Sequence, residues 1–121
     1  AAATSAGKSC GKAISTLYKE YKRQGKIDVT NPTALTSIVQ IAAARNVLKD
    51  NKDDKEFLGA FTMGLVSGSN NLITNATSSN IINALLSLSA LNNVTTNTPS
   101  GSSTAGEAGK ALLPLMKSVG K

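Results

Sequence analysis

The chain has 121 residues, a formal net charge of +6, 40% apolar residues, two Tyr, two Phe, and no Trp or His. A chain of this length can bury roughly 65% of the surface its unfolded form exposes, and with so few aromatics its core must be built from Leu, Ile, Val and Ala, which suits helices better than a sheet sandwich. Lack of histidine and a single cysteine exclude histidine-based triads, an internal disulfide and most metal sites.

Charge is unevenly placed. Residues 1 to 56 hold ten Lys/Arg and six Asp/Glu, residues 107 to 121 hold three Lys and one Glu, and no charged side chain lies between Glu56 and Glu107. Ser, Thr and Asn supply the polar surface of that stretch, a style associated with exported proteins. No apolar run approaches the roughly 20 residues of a membrane span. Residues 1–7, all small, read as a flexible N-terminal segment of the kind a processed leader leaves.

From Lys8 to Gln24, Cys10, Ala13, Ile14, Leu17, Tyr18 and Tyr21 recur at helical intervals, with Gly25 as the C′ stop. Cys10 belongs to this apolar stripe and reads as a small buried hydrophobe. Lys8, Lys12, Lys19, Lys22 and Arg23 make the outer face basic. Residues 2–9 loosely match a phosphate loop, but no strand can precede them, so chance explains the match.

Asn31-Pro32 predicts an N-cap and N1 proline for a second helix reaching about Lys49, with Leu35, Ile38, Val39, Ile41, Ala42 and Leu48 inward and Arg45 and Lys49 near its own negative dipole end. Asp53 and Glu56 have the spacing of a capping box for a third helix, whose inner side is Phe57, Leu58, Phe61, Leu65 and Leu72. Gly59, Gly64 and Gly68 each cost that helix roughly 1 kcal/mol relative to Ala, which points to close approach of a neighbouring helix or to an end near Gly68. Thr77 or Ser78 caps a fourth helix, Ser79 to Asn92, whose wide apolar arc suggests the central position. The polar group Ser67, Ser69, Asn70, Asn71, Thr74 and Asn75 between these helices suits turn and capping chemistry.

Residues 95–106 read as a low-complexity linker. Thr104 and Glu107 predict a capping box for a tail helix over 107–121, which Pro114 should kink or end. The predicted architecture is thus all-α: a four-helix bundle-like domain over 8–94, a flexible Ser/Thr/Asn-rich linker, and a C-terminal tail helix placed to seek a surface at home or on a neighbour. Residues 95–121 are expected to be dispensable for folding.

Ala13-Ile14-Ser15-Thr16-Leu17-Tyr18-Lys19 through Tyr21-Lys22, with Gly25-Lys26-Ile27-Asp28, and Gly64-Leu65-Val66-Ser67-Gly68-Ser69-Asn70-Asn71-Leu72-Ile73-Thr74 resemble segments of small uncharacterised helical envelope proteins and lipoproteins of gut anaerobic bacteria. With the Ser/Thr tail, the resemblance covers most of residues 8 to 105. It implies export to the periplasm or cell envelope and carries over no functional residue. Gly7-Lys8-Ser9-Cys10 lacks the apolar residue expected before a lipidated cysteine, so any lipid anchor would lie upstream.

The functional expectation is a non-catalytic envelope protein, without cofactor or metal, that binds a partner protein, self-associates or scaffolds an assembly. A carrier of an apolar ligand between helices is the alternative. The candidate interaction surface is Lys12, Lys19, Lys22 and Arg23 on the basic face, with Leu112, Leu115 and Met116 on the tail. The basic face could also meet an anionic membrane surface; scarce arginine and the lack of a free aromatic argue against nucleic acid.

Overall fold

The computed structural model describes residues 2–94 and 103–119. It contains α1 (Ala2–Gln24), α2 (Pro32–Asp50), α3 (Lys55–Gly68), α4 (Ser78–Ser87), a 3₁₀ turn (Ser89–Asn93) and α5 (Ser103–Ser118), with no strand among the described residues. The fold is all-α.

α1 begins six residues earlier than the apolar stripe suggests. Residues 2–7, expected to be a flexible segment, are helical because Ala3 and Gly7 are buried in the packing against α3. A Cβ added to Gly7 would overlap the Phe61 carbonyl, and one on Gly11 would lie 2.5 Å from the Leu65 carbonyl oxygen. Advancing four residues along α1 advances four along α3, so the two helices run parallel. Gly64 and Gly68 of α3 complete the contact, lying against the backbone of Thr4, Gly7 and Lys8. Gly7 and Gly11 of α1 with Gly64 and Gly68 of α3 thus line the contact, and the backbones approach far more closely than larger side chains would permit. Gly59 is different: it is exposed, with nothing near its absent Cβ.

Local capping largely follows the sequence. Gly25, at φ +74°, ends α1, its N–H donating to the Tyr21 carbonyl at 2.7 Å. Asn31 caps α2, its Oδ1 accepting from the Thr33 N–H at 2.9 Å, and Pro32 opens the helix. The α3 cap is Asp54, not Asp53: its carboxylate accepts from the Phe57 N–H at 3.1 Å, so the helix is capped by one aspartate side chain and not by the expected Asp53–Glu56 box. Thr77 precedes α4 without capping it through its own side chain.

The polar group after α3 is turn hardware. Asn70 and Asn71 take φ of 52° and 66°, a left-handed region that asparagine tolerates. The buried Ser69 hydroxyl donates to the Val66 carbonyl and accepts from the Ile73 N–H at 3.0 Å, while the Ser78 hydroxyl donates to the Asn75 carbonyl.

α4 is shorter than its apolar pattern predicts and is not the central helix: α1 lies against both α3 and α2, and α2 also meets α4, the 3₁₀ turn and α5. Arg45, only 3% exposed, sits at the end of α4. Its Nε donates to the Leu85 carbonyl, its Nη2 to the Leu86 carbonyl at 2.9 Å, and its Nη1 to Asn92 Oδ1. The next helical turn would present the Ser89 and Ala90 N–H groups to those same carbonyls. With the guanidinium bound there, the chain leaves the α conformation at Leu88 (φ −85°, ψ 83°) and continues as 3₁₀. Arg45 therefore serves the negative end of α4 rather than that of its own helix. Burial pushes its pKa below the ordinary guanidinium value, yet a guanidinium stays protonated in proteins.

α5 completes the core. Ala105, Ala108, Leu112, Leu115, Met116 and Val119 are buried, and all but Ala105 belong to one cluster with Ile14, Leu17, Ile38 and Leu91. Of the two places left open for the tail, at home or on a neighbour, it takes the first, and the fold does not close near Val94: five buried side chains from Ala108 to Val119 belong to the same interior as α1 and α2. Of the expected linker, residues 95–102 lie outside the described residues, while 103–106 are already helical, with Thr104 inside the helix instead of capping it. Pro114 does not end α5 either. It is exposed, so the carbonyl it deprives of a donor, that of exposed Lys110, can turn to water.

Candidate functional site

An open groove of about 720 Å³ lies between α1 and α2. Its α1 wall is Ser5, Lys8, Ser9, Lys12 and Thr16, residues three or four apart that share one helix face. Thr33, Thr36 and Gln40 face them from α2. Because Glu20 near the end of α1 bonds Asn31 at the start of α2 while Ala6 shares a hollow with Ala43 and Val47 near the end of α2, α1 and α2 are antiparallel. A smaller hollow of about 200 Å³, lined by Ala6, Ala43, Ala44 and Val47, continues the groove through the shared residues Ser9 and Gln40.

No carboxylate lines either part. Lys8 and Lys12 are exposed and, among the described residues, have no ion-pair partner. Ser37 also borders the groove, but its hydroxyl donates to the Thr33 carbonyl at 2.9 Å and is engaged with its own helix. The groove thus presents two ammonium groups among hydroxyl and amide side chains at one end and a small apolar surface at the other. It can hold an anionic ligand through charge and hydrogen bonding.

The basic face expected on α1 divides in three. Lys12 enters the groove beside Lys8, whereas Lys19 and Lys22 are exposed on the C-terminal half of the helix, outside it. Arg23 is paired with Glu20 at 2.7 Å, and Glu20 Oε1 also accepts from Gln24 at 3.0 Å and from Asn31 Nδ2 at 2.9 Å. That carboxylate joins the end of α1 to the cap of α2 and leaves Arg23 a structural partner. Leu112, Leu115 and Met116, expected on an interaction surface, are buried inside the fold and offer no surface to a partner.

Lys8 is legible in the sequence as part of the basic face, but its place beside Lys12 across from α2, together with Ser9, Thr36 and Gln40, is not. The Ser5-Ser9-Lys12-Thr16 stripe carried the available signal, but which helix it faces is a tertiary fact.

Cys10 is fully buried, and desolvation raises its pKa from 9.0 to about 12, so it is a core side chain and not a nucleophile. The match to a phosphate loop is empty, since residues 2–9 are α-helical throughout. Among the described residues no three His, Cys, Asp or Glu side chains gather as a metal site, and no helix is long and apolar enough to cross a membrane. Among the described residues the large exposed apolar side chains are Met63, at 69%, and Val47, which borders the hollow. Comparison with protein-family models, curated proteins and solved structures finds no match.

Proposed function

We propose that this chain is a non-catalytic cell-envelope protein whose bundle-like helical domain binds a partner protein or scaffolds an assembly. The observation that carries the reading is the open α1–α2 groove, in which unpaired Lys8 and Lys12 stand among hydroxyl groups with no carboxylate. The charge-free stretch between Glu56 and Glu107 and the resemblance to exported helical envelope proteins support the location. The periplasm or envelope also accounts for a surface polar through Ser, Thr and Asn. The carrier alternative draws less support, because both concavities open to solvent and the larger is lined by lysine and hydroxyl groups rather than by the Leu and Ile of the interior.

Fractionation of the source cells combined with lysine-directed cross-linking tests the proposal. The expected result is recovery with the envelope and cross-links from Lys8 or Lys12 to a second protein, in excess of those from Lys110 and Lys117. Recovery in the cytosol, or cross-links without preference for the groove, would overturn it.

A further inference from the structure

The groove has a length and a chemical order that define its occupant more closely. From Ser5 to Thr16 the α1 wall rises about 16 Å at 1.5 Å per residue, which matches about five residues of extended chain at roughly 3.3 Å each. Lys8 and Lys12 stand one helical turn apart on that wall and present positive charge along the groove instead of at a single point. The Ser9, Thr36 and Gln40 side chains both donate and accept, as the alternating N–H and C=O groups of an extended backbone require. Beyond Ser9 and Gln40 the surface turns apolar at Ala43, Ala44 and Val47, enough for one aliphatic side chain.

From this order we infer that the α1–α2 groove binds an extended acidic peptide segment of a partner protein, with carboxylates at Lys8 and Lys12 and an aliphatic side chain over the Ala43–Val47 hollow. The inference rests on the partner-binding reading above and names the chemistry the partner must carry. A lipid headgroup would use the lysines alone and leave the linear run of hydroxyls and the apolar end without a role. A compact phosphate would likewise fill only a small part of a groove of about 720 Å³.

The test uses the full chain and a fluorescein-labelled hexapeptide, Glu-Asp-Glu-Glu-Leu-Glu, read by anisotropy at about 50 mM and about 300 mM salt. Reversing both groove charges, Lys8→Glu with Lys12→Glu, should weaken binding at least about ten-fold, while Lys19→Glu with Lys22→Glu should change it less than about two-fold. Ser9→Trp, at an exposed position, fills the groove and leaves both lysines in place; it too should weaken binding about ten-fold, with an unchanged circular dichroism spectrum. Replacing the leucine with serine should cost a further few-fold.

Equal losses from the two double reversals would reduce the attraction to net charge and overturn the inference. So would a neutral effect of Ser9→Trp, or stronger binding to phosphatidylglycerol vesicles or inorganic phosphate than to the peptide. If the peptide fails while Lys8 and Lys12 still cross-link to an envelope protein, this inference falls and the partner-binding reading stands; cytosolic recovery removes that reading itself.

Discussion

Arg45 and Leu85 are forty residues apart in sequence and joined in the interior, the guanidinium Nε donating to the Leu85 carbonyl in the last turn of α4. Among the described residues no carboxylate shares the site: the partners of Arg45 are two main-chain carbonyls and the Asn92 amide oxygen. A buried cation is thus held by the negative end of a helix in the half of the protein that lacks charged side chains. Arg45→Ala should destabilise the protein by about 2 to 4 kcal/mol, through lost charge-assisted hydrogen bonds and lost packing of the stem. Arg45→Lys keeps the charge but not the fork of donors and should recover less than half of that loss. Urea titrations of the three proteins decide it, and equal stability of wild type and Arg45→Lys would show that charge alone suffices. Leu85→Ala, at a fully buried position, should lose about 2 to 5 kcal/mol in the same titration.

The glycines of α3 give opposite outcomes for one substitution. Gly59→Ala meets nothing and gains helix propensity, so it should stabilise by about 0.5 to 1 kcal/mol. Gly64→Ala gains the same propensity but drives a methyl group into the α1 backbone at Thr4 and Lys8, and should destabilise by about 2 kcal/mol or more as the helices separate. Thermal unfolding of both variants reads the sign, and two shifts in the same direction would contradict the close α1–α3 contact.

Removal of the C-terminal segment should abolish cooperative folding. Leu112, Leu115, Met116 and Val119 are buried, and at about 1.5 to 3 kcal/mol each their burial is comparable with the whole stability of a domain this size. A chain ending at Val94 should therefore show no sharp melting transition, whereas Leu112→Ala should fold with a loss of about 2 to 5 kcal/mol. A truncated chain that melts as the full one does would return the tail to the status of an appendage.

Cys10 imposes a pH dependence. Its folded pKa, about 12, lies above the unfolded value of 9.0, so the unfolded thiol loses its proton first and stability contributed by the neutral thiol declines as pH rises from 9.0 toward 12. Cys10→Ala should remove this component of the alkaline decline. In native protein at pH 8 the thiol should resist a disulfide reagent such as dithionitrobenzoate and react promptly in denaturant; fast native labelling would mean that α1 opens readily from the core.

The all-helical fold was legible because most of its determinants are local. Gly25 stops α1 by adopting a left-handed conformation, and Asn31-Pro32 starts α2 with a side chain and a ring that act within three residues. The apolar stripes through Ile14, Leu17, Ile38 and Leu65 needed only helical periodicity. Of the candidate site, Lys8 and Lys12 were visible as members of a basic face, but the division of that face among a groove, an exposed end and a Glu20 pair was not, because it depends on where α2 lies.

What tertiary structure alone decided are the pairings between distant segments. Gly7 and Gly11 look like structureless or neutral positions until Phe61 and Leu65 are set against them. The α4 pattern of Leu and Ile is compatible with a helix to Asn92, and it stops at Ser87 where Arg45 of α2 occupies its last carbonyls. Pro114 and the polar run before α5 leave open whether the tail packs at home or on a neighbour; the interior around Ile38 and Leu91 accepts Leu112 and Met116, and burying them outweighs one missing hydrogen bond on an exposed face. Propensity and capping act over a few residues and are written in order along the chain; burial and close approach act between surfaces that exist only once the helices have met.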